Sequence, residues 1–158
     1  MVEDLVESPR RPRHPLETAS AWILGGVFLF TALAKAESPD GVSRSIEHLL
    51  GVSKAYVVAA VIGIVLLETA LGVTLIFGVA RKRALTLSVM LLGAFTLGVF
   101  LLVLDPRAPS CGCTGAIELA SSDAAANQIA LARNGVLMSV GIAGLFSAGR
   151  ANEGRASV

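Results

Sequence analysis

The sequence predicts an all-α integral membrane protein, a four-helix bundle with both termini in the cytoplasm (N-in/C-in). Three observations predict it. Hydrophobic residues make up 54% of the chain and charged residues only 16%, whereas soluble domains carry about 25% charged residues. The charges gather between four long apolar runs, each close to the ~20 residues that cross a bilayer. The Lys and Arg between those runs are unequally divided by side.

In chain order, residues 1–17 read as a polar cytoplasmic arm held inside by Arg10, Arg11 and Arg13. Residues 18–149 form the transmembrane domain, with spans over 18–36, 55–80, 84–104 and 127–148, and 150–158 read as a disordered tail. Thr18 to Ala34 carries no charge and ends at Lys35, which is expected to snorkel to the outer interface. Basic residues, an apolar stretch and Ala-Lys-Ala also describe a cleavable signal peptide. The apolar run is long for one, and a retained first helix is expected.

Ser38-Pro39-Asp40-Gly41 breaks that helix. Beyond it, Val42, Ile46, Leu49 and Leu50 recur at helical spacing, with Arg44, Glu47 and His48 between them. This predicts a short helix lying in the membrane interface, with His48 a solvated polar residue. The second span, Ala55 to Ala80, is interrupted only by Glu68, and the basic turn Arg81-Lys82-Arg83 follows it. The third span, Ala84 to Leu104, has no charge. Ser121-Ser122-Asp123 offers an N-cap to the fourth helix, which carries Arg133 and Asn134 and meets Gly149 at its expected end. Gly25, Gly26, Gly63, Gly72, Gly93, Gly98, Gly141 and Gly144 are expected to let helices approach closely where lipid gives no hydrophobic drive.

Arg10, Arg11, Arg13, Arg81, Lys82, Arg83, Arg150 and Arg155 fall on one side of the predicted spans, against Arg44, Lys54 and Arg107 on the other. The positive-inside rule therefore faces the third loop outward. That loop holds the only two cysteines, in Ser110-Cys111-Gly112-Cys113-Thr114-Gly115. Disulfides persist outside the cytosol, so topology and cysteine chemistry agree. Thiols at i and i+2 can bridge only in a tight, strained turn, and strained bridges are labile rather than structural. The alternatives are an inert pair or half of a metal site. Two sulfurs do not close a zinc site, and neither His14 nor His48 has ligand spacing to them, so no metal is expected.

Glu68 lies about 20 Å along its helix, at 1.5 Å per residue, where an ionised carboxylate must be protonated or paired. Lys35 and Arg133 fall on the cysteine side, where positive charge favours a thiolate. The bland alternative is that both cations snorkel while Glu68 fixes helix packing. No dinucleotide, phosphate-loop or zinc-protease spacing is present, and no long basic tract argues for nucleic acid.

The chain resembles the MauE/DoxX-like family of redox-associated membrane proteins. The resemblance rests on Ala32-Leu33-Ala34-Lys35, Glu68-Thr69-Ala70-Leu71-Gly72, Cys111-Gly112-Cys113-Thr114-Gly115 and Ala132-Arg133-Asn134. Thr114 departs from the aromatic residue expected there in many members. The resemblance implies a four-helix protein of the cytoplasmic (inner) membrane, acting with a thioredoxin-like extracytoplasmic partner in disulfide formation or maturation of exported proteins.

The expected function is thus thiol–disulfide exchange at Cys111 and Cys113, supported by Lys35, Glu68, Arg133 and Asn134. A single cysteine pair cannot relay electrons internally. The second half-reaction needs a quinone, another membrane protein or the partner itself, and the sequence makes no cofactor certain. The rivals are a non-catalytic scaffold or chaperone for a redox partner, and a small-solute carrier using Glu68 and Arg133.

Overall fold

The computed structural model describes residues 15–113 and 122–156, with side chains as far as Ser147. Most of the polar arm, Thr114 and the loop after it to residue 121, and the last two residues lie outside the described residues. Five helices follow one another: α1 (Pro15–Glu37), α2 (Asp40–Leu50), α3 (Lys54–Phe77), α4 (Arg81–Leu104) and α5 (Asp123–Ala156). Four of them are long and apolar enough to cross a membrane. No strand occurs among the described residues.

Each boundary has a local cause. Pro39 closes α1 and opens α2, where a proline needs no amide partner. Gly51 and Gly78 end α2 and α3 in the left-handed conformation, each returning its amide to the carbonyl four residues back. Ser122 accepts the Ala125 amide with its hydroxyl at 3.3 Å and so caps α5. The spans differ from expectation at several boundaries: α3 stops at Phe77 instead of Ala80, α4 begins at Arg81 instead of Ala84, and α5 begins at Asp123 instead of Asn127. The arm is already helical from Pro15, and α5 runs past Gly149 to Ala156. Glycine lowers helix propensity without forbidding the helix, and the Ala, Glu and Arg that follow are helix formers.

The bundle core is apolar at the end near the α3–α4 turn, where Ala21, Leu24, Leu75 and Leu85 are sealed between α1, α3 and α4. Outward-facing positions are equally apolar. Trp22, Phe30, Leu66, Phe77, Met90, Leu97, Val136 and Phe146 are each more than half exposed. In a lipid solvent such a belt costs nothing, and in water it forms an aggregation surface.

Helices α1 and α3 cross most intimately. A Cβ on Gly25 would lie 3.1 Å from the Gly72 carbonyl oxygen, and one on Gly72 would lie 3.0 Å from that of Gly25. Gly141 and Gly144 play the same part on α5, against Val89 and Ser20. Gly26, Gly63 and Gly93 do not, since a Cβ there meets nothing within 4 Å. Composition marked all of these glycines alike, and only the register on each helix separates them.

The stripe of α2 is used for protein packing. Val42 and Ile46 close against Val57 and Val61 of α3, while Leu49 and Leu50 remain exposed. His48 pairs with Asp105 at 2.9 Å across the surface, pinning α2 to the end of α4. At the opposite end of the bundle the basic turn is not wholly solvated. Arg81 is buried and donates to the Thr18 hydroxyl at 3.1 Å, while Lys82 and Arg83 are exposed.

Gly72→Val should therefore destabilise the purified protein by about 1–3 kcal/mol, the usual cost of overpacking. Gly63→Ala should leave its thermal midpoint unchanged or higher. Equal midpoints for the two variants would contradict the α1–α3 crossing.

Candidate functional site

The residues marked in the sequence converge on one end of the bundle. Lys35 is not snorkelling. It is 3% exposed, and its Nζ donates to both carboxylate oxygens of Glu68, at 2.7 and 2.9 Å. The α1–α3 crossing a few turns below brings the two side chains face to face. Lys35 Nζ also lies 5.4 Å from the centre of the Phe95 ring on α4, a cation–π distance. Neither charge has water to return to. Removing one partner of such a pair costs about 3–5 kcal/mol, because the other is left buried and uncompensated.

Above this pair the cysteine turn folds into the bundle. Gly112 adopts φ +61° and sits against the first residues of α2, where a Cβ on Gly41 would fall 2.8 Å from the Gly112 Cα. Only glycine at both positions permits this contact without strain or collision. Three hydrogen bonds hold the turn. Ser45 donates from its hydroxyl to the Ser110 carbonyl at 2.8 Å. The Cys111 amide donates to Asn127 Oδ1 at 2.7 Å, and Asn127 Nδ2 donates to the Pro109 carbonyl at 3.1 Å. Asn127 is 1% exposed, so these bonds have little competition from solvent.

Both cysteines are free thiols; Cys111 is buried, and Cys113 is partly exposed. The Cys113 amide approaches Cys111 Sγ at 3.4 Å. The hydrogen bond from the Cys113 thiol, that amide, and the charges of Arg133 and Lys35 together lower the Cys111 thiol to about 7, against the opposing effect of burial. Cys113 is pushed up, first by its hydrogen bond to Cys111 and then by burial and the neighbouring charge. One sulfur is poised as thiolate and the other as its proton-bearing companion.

A cavity of about 150 Å³ lies between the turn and the ion pair. Lys35, Glu68, Arg133, Asn134 and both cysteines line it, with Phe95 along one wall. All five helices contribute to its walls.

The model of the family described as methylamine utilisation protein MauE matches residues 13–147. The chain belongs to the MauE family. With its four apolar helices, it is a multi-pass membrane protein of methylamine-utilisation type. No curated protein and no solved structure matches the chain.

In this MauE-family chain the six residues singled out in the sequence, though up to 99 positions apart, share one cavity. Ser45, Phe95 and Asn127 were not singled out. Ser45 and Asn127 look like ordinary helix-surface polar residues until the loop is folded onto them. Phe95 is one of six phenylalanines, and nothing in the sequence marks it. No group of three or more His, Cys, Asp and Glu able to hold a metal occurs among the described residues.

Lys35→Met and Glu68→Leu should each destabilise by about 3–5 kcal/mol, and the double variant by much less than their sum. Additive losses in thermal or denaturant unfolding would show that the pair is not energetically coupled. The rate of Cys111 alkylation should rise with pH about a midpoint near 7. Arg133→Met should move that midpoint upward, since the thiolate loses a favourable charge. An unshifted midpoint would remove Arg133 from the thiol's environment.

Proposed function

We propose that this protein is a thiol–disulfide redox protein of the cytoplasmic membrane. In this reading both termini are inside, the cysteine loop is extracytoplasmic, and a thioredoxin-like partner is kept oxidised for disulfide formation in exported proteins. One observation carries the reading. The only cysteine pair is built into a half-buried turn, with its more acidic thiol among fixed positive charges, instead of joining distant parts of the fold.

Exposure and acidity divide the work between the two sulfurs. A thiolate of the reduced partner attacks the sulfur of Cys113, the more accessible one, and forms a mixed disulfide. The Cys111–Cys113 bond breaks and Cys111 leaves as the thiolate. A thiol of low pKa makes a good leaving group, and Cys111 is the sulfur so tuned. The partner's second thiol then attacks the mixed disulfide and releases Cys113. The partner has lost two electrons and two protons, and the cysteine pair has gained them as two thiols.

The scaffold alternative gives no reason for the acidic thiol. The carrier alternative is disfavoured by the pairing of Glu68 with Lys35, which already neutralises the charge a solute would need.

The test is covalent capture in intact cells. Cys111→Ser leaves Cys113 with no internal partner and should accumulate a mixed disulfide with an exported dithiol protein. Cys113→Ser should capture several-fold less, because Cys111 is buried. A membrane-impermeant thiol reagent should block the capture without permeabilisation. Equal capture by both variants would overturn the division of labour. Capture by neither, with both proteins folded, would overturn the redox reading.

A further inference from the structure

We infer that the cavity beneath Cys111 binds the head-group of a membrane quinone, which takes the electrons of the reduced cysteine pair. This deepens the redox reading and rests on it. The exchange just described leaves a dithiol that must be reoxidised, and no further cysteine exists in the chain to accept its electrons.

Size is the first argument. Cavities of about 150 Å³ are known to hold a benzene ring, and this one has that volume. The Phe95 ring forms one wall, and Leu92 and Leu137 supply apolar surface. Access is the second. Ala94 lines the cavity and is itself exposed on the lipid-facing side of α4. Helices α3 and α4 pack far more thinly against each other than α1 and α3 do. A ring arriving through the bilayer would meet the cavity from the side, without crossing water.

Hydrogen-bonding capacity is the third, and it selects the ligand class. Among the described residues, Asn134 Nδ2 and Arg133 Nε are buried with no hydrogen-bond partner. Asn134 is 2% exposed, and both residues line the cavity. Each orphan is a donor, so the missing partner is an acceptor. Lys35 is already matched by Glu68, and a Cys111 thiolate offsets the neighbouring charge of Arg133, which leaves little net charge to attract an anion. A neutral ring bearing carbonyl oxygens fits all three conditions.

The step balances without another oxidant or reductant. The Cys113 S–H bond breaks and an S–S bond forms between Cys113 and the Cys111 thiolate. The two electrons pass to the quinone, whose two carbonyl oxygens become hydroxyls by taking the Cys113 proton and, from water, the proton that Cys111 had released. Oxidised protein and quinol are the products.

The probe is decylubiquinone, whose fully substituted ring cannot be trapped by simple thiol addition; decanol serves as the control for its tail. In the Cys111→Ser/Cys113→Ser protein, decylubiquinone should raise the thermal midpoint saturably and decanol should not. Asn134→Leu, placed in that background, should raise the half-saturating concentration about tenfold, the size of one lost hydrogen bond. Gly98→Leu should do so by filling the cavity, and it is expected to fold because a Cβ there meets only the Leu49 side chain, at 3.9 Å. In the reduced natural protein under anaerobic conditions, one quinol and one disulfide should appear per chain. No saturable shift, or binding without thiol oxidation, would overturn the inference. Either failure leaves the partner reading standing if Cys113 still captures an exported protein. Quinone oxidation without any such capture would support the site and count against the partner.

Discussion

The buried pair of Lys35 and Glu68 is the constraint on which the rest of this protein depends. Two opposite charges are held at 2.7 Å inside an apolar bundle, with 3% and 2% of their side chains accessible. Such a pair earns little stability by itself, because desolvation offsets most of the attraction. Its consequence is geometric. It fixes α1 against α3 in one register, as does the Gly25–Gly72 contact below it. It also forms the floor of the cavity that the cysteine turn roofs. Because Glu68 neutralises Lys35 locally, Arg133 is left beside the thiols as a cation with no carboxylate partner among the described residues.

The turn above that floor is held by backbone fit more than by side-chain bulk. Gly41 and Gly112 make van der Waals contact where no other residue pair would fit. Asn127 then bonds on both sides of the turn, to the Pro109 carbonyl and the Cys111 amide. Helix α2 and the fourth span thus grip the loop from opposite sides. The sulfur chemistry is positioned by rigid elements, although the cysteines lie in a connection. That arrangement keeps Cys111 among fixed charges and leaves Cys113 nearer the surface.

Much of this was legible in the sequence, and the reasons for what was not are physical. Four apolar runs gave the spans, because a bilayer demands length and hydrophobicity that few other contexts share. The one carboxylate and the two cations that break those runs marked the site, because charge is costly in lipid and persists where it is used. What could not be read was pairing. Lys35 ends an apolar run exactly as a snorkelling lysine does, and only the crossing of α1 and α3 turns it inward. Likewise α2 carries the stripe of an interfacial helix, but Val42 and Ile46 spend it on α3. Asn127 carried no signal at all, since its partners are backbone groups in a loop whose path the sequence does not give.

The central claim is that this cysteine pair is a redox couple tuned by its surroundings. A bridge across Cys111-Gly112-Cys113 closes a very small ring, so it removes little chain entropy, while Arg133 and Lys35 favour the reduced thiolate. The most direct measurement is a redox titration of the purified protein, with the thiols counted by gel shift after alkylation. The account predicts a potential well above the roughly −300 mV below which structural disulfides lie, with full reduction while the protein remains folded. A potential in the structural range, or a bridge reduced only on unfolding, would contradict it.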